Sequence, residues 1–336
     1  MTINVKRGFL ACAALAAAAI STGAAAQAYE LKVSHFLPPN HTFHKEFLRW
    51  GEELKKKSDG KLTLTVFPAG QMGPPPRQFD LARTGVADMA LSLHGQTPGR
   101  FPLTEVAQLP FAVDSAEAAS RKLTELVPQY LAKEHAGVHV LYLLATPPLM
   151  VHLAKHRVTT LEDFKGLRIR YSGQQSGETV RALGAVPVGV PPAESADAMS
   201  KGTVDGAMFP YEGAASFQLG NVTKYTLEPG LHSATFFLVM NPASYEKLPA
   251  PLRKLIDDTT GLAAAARIGR ELDRAEVEGK KYMISNKVEV IRLAPAALAK
   301  VREATDVYTR SVIAQLEAKG LPAQAVYKEL RSLVRD

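Results

Sequence analysis

Apolar and polar positions along the chain fall into two alternating rhythms, one of period two and one of helical period. Tyr29 to Phe36 predicts a strand. Phe43, Phe47, Trp50 and Leu54 then recur at helical spacing and predict an amphipathic helix, with Gly60 placed to close it. Leu62, Leu64 and Val66 alternate with Thr63 and Thr65, which predicts a strand over Lys61 to Phe67. A Gly/Pro loop from Ala69 to Pro76 leads to a helix over Arg77 to Thr84. Val86 to Leu93 follows as a strand, Ser115 to Glu134 as a helix and Val138 to Leu144 as a buried strand.

After Pro147-Pro148 the rhythm restarts. Met150 to Ala154 is extended. Thr159-Thr160-Leu161-Glu162 fits a capping box that opens a short helical turn. Gly166 to Arg170, Val204 to Phe209 and Thr235 to Met240 read as strands, and Gln174 to Leu183 as a helix. Pro251 to Ile284 reads as one helical run about 50 Å long if continuous, enough to span two lobes. Val288 to Leu293 gives a last strand. Leu298, Val301, Tyr308, Val312 and Leu316 mark an amphipathic helix, and another follows Pro322. Strands alternating with helices imply α/β layers with largely parallel sheets. In such folds ligands bind beyond the carboxyl ends of strands, often between lobes.

The N-terminus changes the picture. Lys6 and Arg7 precede an Ala-rich apolar stretch from Phe9 to Ile20, and Ala24-Ala25-Ala26 and Ala26-Gln27-Ala28 offer cleavage sites. This reads as a signal peptide over residues 1–26, cleaved near Ala26 or Ala28; the stretch is short for a membrane span. The expected address is the periplasm. Cys12, the single cysteine, would leave with the signal, so disulfide and thiolate chemistry is not expected. The signal holds two of the 40 Lys and Arg and none of the 33 Asp and Glu, leaving 38 against 33, or +5. This mild positive charge suits an anionic ligand. The basic residues are dispersed without interleaved aromatics, so no nucleic-acid partner is expected. A mature chain of about 310 residues exceeds one typical core and predicts two lobes.

The motifs of several enzyme classes are missing. There is no Gly-x-Ser-x-Gly, Gly-x-Gly-x-x-Gly, phosphate-binding loop or His-Glu-x-x-His. His41-Thr-Phe-His44, with His35 nearby, lacks an accompanying carboxylate motif; Asn40 or Thr42 is expected to cap the following helix, and neither a metal nor another cofactor is expected. Arg170 stands out at a strand end before the Gly/Ser-rich turn Tyr171-Ser172-Gly173-Gln174. A guanidinium there can hold a carboxylate by two parallel bonds, although the same pattern fits a solvated strand arginine. Val204-Asp205-Gly206-Ala207-Met208-Phe209-Pro210-Tyr211 reads as a strand and a turn with exposed aromatics. Phe209 and Tyr211 can stack on a ligand there or pack as core and rim residues.

Leu161-Glu-Asp-Phe-Lys-Gly-Leu-Arg-Ile-Arg170 resembles the signature strand of TRAP (tripartite ATP-independent periplasmic) transporter solute-binding proteins. Its continuation resembles them too: Ala182-Leu-Gly-Ala-Val-Pro-Val188, Glu194, and Lys201-Gly-Thr-Val-Asp-Gly206. Gly70-Gln-Met-Gly73, Gly85-Val-Ala-Asp-Met-Ala90, Leu109-Pro-Phe111, Ser115-Ala-Glu-Ala-Ala-Ser-Arg121, Phe237-Leu-Val-Met-Asn241 and Tyr245-Glu-Lys-Leu-Pro249 occur in the matching order. The resemblance implies an α/β two-lobe periplasmic binding protein fold with a ligand cleft between the lobes and a long helix spanning both. The lobes would be 27–148, completed by about 235–265, and 149–234, completed by parts of about 285–336. It also implies that the arginine at position 170 pairs with a substrate carboxylate, and that the residue before the proline of the Asp-Gly-x-x-x-Pro turn, here Phe209, contacts the ligand. Sialic-acid-binding members carry further charged pocket residues where this chain has Ser92-Leu93-His94 and Leu149-Met150-Val151-His152. The implied ligand is therefore a small organic acid, a monocarboxylate with an apolar or aromatic body, and not sialic acid.

The expected site is Arg170 for the carboxylate, with Phe209, Tyr211, Phe36 and Phe236 around the body. His94 and His152 are candidates for polar contacts, each equally readable as a structural histidine. The implied partners are the TRAP membrane permease subunits, the implied state is a monomer, and no catalysis is expected. The binding protein of another importer type and a periplasmic sensor remain as alternatives, with a hydrolase disfavoured by the missing motifs.

Overall fold

A computed structural model describes residues 27–334; the signal segment and Cys12 lie outside them. The first half of the chain runs β1 (Tyr29–His35), α1 (Thr42–Lys57), β2 (Leu62–Phe67), α2 (Gln78–Arg83), β3 (Met89–Leu93), α3 (Ala116–Leu126), β4 (His139–Ala145) and β5 (Leu149–Leu153). Next come β6 (Arg168–Tyr171), α4 (Gln174–Ala182), β7 (Val186–Gly189), α5 (Ser195–Ser200), β8 (Gly206–Phe209) and α6 (Tyr211–Ser216). The remainder is β9 (Tyr225–His232), β10 (Thr235–Met240), α7 (Pro242–Glu246), α8 (Ala250–Thr259), α9 (Gly261–Ser285), β11 (Glu289–Arg292), α10 (Pro295–Ala318) and α11 (Ala323–Arg331). Phe43, Phe47, Trp50 and Leu54 of α1 are all buried, as their spacing requires. Among the described residues no helix is long and apolar enough to cross a membrane.

The strands form two sheets, β2-β1-β3-β10-β4 and β11-β9-β5-β8-β6-β7, one per lobe. Each sheet is parallel except for one strand. β10 runs antiparallel to both β3 and β4, and β5 antiparallel to both β8 and β9. The cause is the chain path. It leaves the first sheet at Thr146–Pro148 and returns at Ser233–Ala234. Each crossing strand carries straight on into the other sheet, so it arrives against the direction of its new neighbours. The two crossings are tied together: Thr146 N–H donates to the Ala234 carbonyl at 2.9 Å, and Ala234 N–H to the Thr146 hydroxyl at 3.0 Å.

The run from Pro251 to Ile284 is not one helix. It breaks at Thr260 and Gly261, where Gly261 takes φ +70°. The hydroxyls of Thr259 and Thr260 turn back onto the carbonyls of Leu255 and Ile256, at 2.7 and 2.9 Å, and satisfy the last turn of α8. The 25-residue α9 remains, about 37 Å long. It packs on α1, α3 and β4 of the first lobe and on α6 of the second. Asp273 accepts from the N–H groups of Ala116 and Glu117, at 2.9 and 3.0 Å, at the start of α3. One turn on, Glu276 accepts from Tyr211 and Glu212 N–H, at 2.6 and 2.9 Å, at the start of α6. Carboxylates favour helix N-termini because the free amides and the dipole both point at them. Glycine makes the approach close enough. A Cβ at Gly269 would stand 2.5 Å from the Ala116 carbonyl oxygen, and one at Gly279 would stand 2.4 Å from the Tyr211 carbonyl.

Two local expectations change. Glu162 is not the carboxylate that closes the turn after Thr159: Asp163 accepts from the N–H groups of Thr159 and Thr160. The N-cap of α1 is His41 rather than Asn40 or Thr42.

Gly269→Ala forces backbone against backbone, so it is expected to lower stability in urea unfolding by about 2 kcal/mol or more. An unchanged midpoint would show that α9 can shift away from α3.

Candidate functional site

The chain places a small cavity of about 50 Å³ between the two lobes. Its walls come from the carboxyl ends of parallel strands: Phe36 and Leu37 after β1, Leu93 on β3, Arg170 and Ser172 at β6, and Met208, Phe209 and Pro210 at β8. The two antiparallel strands present their N-terminal ends instead, Leu149 of β5 and Phe236 of β10. Thr146, Pro147 and Ala234 of the crossings form part of the same wall. Phe36 and Phe236 lie parallel with centroids 6.2 Å apart, and Phe209 packs on Phe217 at 5.6 Å. Apart from a few polar groups, the lining is hydrocarbon.

Among the described residues Arg170 is the largest fully buried side chain, 1% exposed. Its Nε–H donates to the Val190 carbonyl at 3.1 Å and its Nη1–H to the Met208 carbonyl at 3.3 Å. The guanidinium carbon lies 4.3 Å from the centre of the Phe209 ring. Among the described residues no carboxylate reaches it. Two residues earlier, exposed Arg168 forms a fork with Asp205, at 3.0 and 2.8 Å. Burial brings the Arg170 pKa down to about 9, which leaves it cationic at neutral pH.

Of the seven residues expected at the site, Arg170, Phe209, Phe36 and Phe236 line this cavity. Tyr211, His94 and His152 do not. The expected turn with exposed aromatics is absent, since Phe209 is 5% and Tyr211 2% exposed. Tyr211 opens α6, and its hydroxyl donates to Glu228 at 2.9 Å. His94 pairs with His135, with their Nε2 atoms 3.1 Å apart, and packs among Phe101 and Phe237. His152 sits behind the cavity. Its Nε2 lies 3.1 Å from the Phe209 carbonyl, which can only accept, so the ring proton is on Nε2. Its Nδ1 then accepts from the Thr226 hydroxyl at 2.9 Å. His152 thereby fixes the backbone of Phe209.

Sequence reasoning missed His41 and Glu212, which also line the cavity. Glu212 lies on α6 and reaches across to the start of α1. It accepts from Thr42 N–H at 3.0 Å, from the Thr42 hydroxyl at 2.8 Å, and from the Ser216 hydroxyl at 3.2 Å. His41 Nε2 is 3.2 Å from its other oxygen. The first turn of α1 carries no acid of its own, and that was the one available hint. On the same side Asn40 donates to the Ser216 carbonyl at 3.1 Å; elsewhere between the lobes Gln96 donates to the Ser172 carbonyl at 2.8 Å. The other two histidines of the cluster pair with each other, His35 Nε2 to His44 Nδ1 at 3.1 Å.

Comparison with known proteins bears on the family and the fold. The profile of the bacterial extracellular solute-binding proteins, family 7, matches residues 33–316. A TRAP solute-binding protein from Rhodoferax ferrireducens, crystallised with copurified benzoate, is similar at 31% identity with a TM-score of 0.86, covering 91% of this chain and 97% of that one. A marine-metagenome TRAP protein specific for aromatic acid ligands, with 3-hydroxybenzoate, is similar at 32% identity and a TM-score of 0.87, over 91% and 98%. A third, from Bordetella bronchiseptica with bound (R)- and (S)-mandelate, shares 32% identity at a TM-score of 0.84, over 90% and 98%.

Burial brings His135 and His152 down to about 4. Both are held neutral in the fold, whereas an unfolded histidine titrates near 6.5. Their contribution to stability is complete above pH 6.5 and is lost as pH falls from there toward about 4. Urea midpoints measured across that range should fall steadily, and a flat profile would contradict the buried neutral state.

Proposed function

The chain belongs to family 7 of the bacterial extracellular solute-binding proteins, the TRAP receptors, and on that footing we propose that Arg170 captures a monocarboxylate with an aromatic or apolar body. One observation carries the reading: a buried guanidinium with no carboxylate partner among the described residues faces a mainly apolar cavity of which it is the strongly basic member. A guanidinium has five N–H donors, and two of them are engaged with carbonyls. The rest suit the two oxygens of a ligand carboxylate. An unpaired buried charge is costly, and an ion of opposite sign relieves that cost. Phe36, Phe236, Phe209 and Phe217 suit the flat body of a ring. Benzoate, 3-hydroxybenzoate and mandelate, bound by the similar proteins, each combine one carboxylate with one ring.

In this reading the lobes, 27–148 completed by about 235–265 and 149–234 completed by parts of about 285–336, open and close about the two crossings. The ligand favours closure because only the closed form surrounds it. The exported monomer works in the periplasm, releases its ligand chemically unchanged and delivers it to the TRAP permease subunits in the membrane.

A thermal-shift screen with benzoate, 3-hydroxybenzoate, mandelate and their amides tests this. A ligand at 100 times its Kd stabilises by about 2.7 kcal/mol, a shift of several degrees. The acids should shift the transition and the amides should not. Arg170→Met should bind at least about 30-fold more weakly, because truncating one partner of a buried ion pair costs roughly 2–5 kcal/mol. Without ligand it should melt no lower than the parent, because it removes an unpaired buried charge. Undiminished acid binding by Arg170→Met would overturn the assignment.

A further inference from the structure

We infer that Glu212 restricts this cavity to ligands with a single negative charge, by placing a fixed carboxylate in the wall of a chamber that has one cation. The inference rests on the reading of Arg170 as the carboxylate receptor and extends it to the rest of the ligand. Of the residues that line the cavity, Arg170 and Glu212 alone are acidic or strongly basic. His41 is the remaining titratable group there. Its Nδ1 accepts from Phe43 N–H at 3.2 Å, so its proton sits on Nε2 and is donated to Glu212. Burial lowers the His41 pKa, in keeping with a neutral ring. The His41–Glu212 pair therefore presents one negative charge.

That charge is fixed in place. Glu212 is 6% exposed and accepts from two hydroxyls, one backbone amide and one imidazole. It also stands at the N-terminus of the 16-residue α1, where the helix dipole favours an anion. A monoanion placed on Arg170 neutralises the only cation in the wall. A second carboxylate on the same ligand would find no second cation in the lining and would meet the buried carboxylate of Glu212 there. Like charges so placed repel each other, and selectivity of this kind comes from a built-in repulsion rather than from an added attraction.

Glu212 also joins the two lobes through Thr42 and His41, so changing it alters closure as well as charge. The test must cancel the closure effect. Calorimetry at pH 8 would compare each benzenedicarboxylate isomer, 1,2-, 1,3- and 1,4-, with the carbamoylbenzoate of the same shape and one less charge. Within one protein, the ratio of the two Kd values removes whatever the protein does to closure. For the wild type, the best-bound amide should bind at least about tenfold more tightly than its dicarboxylate. In Glu212→Gln that ratio should collapse toward one, whatever happens to absolute affinity. A wild-type ratio near one, or a ratio unchanged in Glu212→Gln, would overturn the inference. So would benzoate binding without binding of any carbamoylbenzoate, since the wall would then exclude by size. If benzoate itself and every other ring acid failed to bind the wild type, the carboxylate reading of Arg170 would fall first, and this inference with it.

Discussion

A guanidinium kept from water, without a carboxylate partner among the described residues, is the constraint around which the candidate site is built. Arg170 can stay charged there only because carbonyls and a ring face replace part of its hydration. Two carbonyls, Val190 and Met208, and the face of Phe209 do this. Each must be held still. His152 anchors the Phe209 carbonyl, and Thr226 fixes the ring of His152 from behind. The histidine is thus part of the site without touching its cavity. The arrangement resembles many functional sites in giving up stability locally so that a ligand can complete it.

The second organising device is the helix N-terminus capped by a carboxylate distant in sequence. Glu212 caps α1, Asp273 caps α3 and Glu276 caps α6. Glu134 does the same for the 3-10 turn at Thr104–Gln108, accepting from the N–H groups of Leu103 and Thr104. Asp273 and Glu276 belong to one turn of α9 and fix helices in different lobes. Glu212 acts from the second lobe on a helix of the first. Burial pushes the Glu276 carboxyl up to about 8 against the pull of its two amide donors. The lobes are therefore joined by polar contacts of defined direction in addition to apolar packing, and the relative placement of Arg170 and Phe36 follows from those contacts.

Local pattern carried much of this into the sequence. The apolar stripe of α1, the alternation of β2 and the strand that carries Arg170 each follow from periodicity over a few residues. The family resemblance supplied the role proposed for Arg170 and agreed with the two lobes that chain length predicts. What escaped depends on contacts between distant segments. Glu212 and Thr42 are 170 positions apart, and no local rule links them. The Thr260–Gly261 break interrupts a run whose composition favours helix, and it needs only one residue of positive φ. His152 was legible as a strand residue and His94 as the residue that follows one, but their direction was not: both turn toward protein partners rather than toward the cavity. Tyr211 fell inside because α6 begins at that residue and carries its ring against the second lobe.

The crossing strands also set an order of assembly. β10 lies between β3 and β4, so the first sheet has a gap between those two strands until residue 240 is in place. Everything that forms the second sheet except β11 precedes β10 in the chain. A growing or partly translocated chain that ends before Thr235 would therefore hold β3 and β4 as unpaired, strongly apolar edges. Such edges invite pairing with other chains, and pairings between segments far apart in sequence form slowly. The topology that puts both crossings beside the ligand cavity thus delays completion of the first lobe until most of the protein has been made, and it makes the interval before residue 240 the vulnerable stage in the life of the chain.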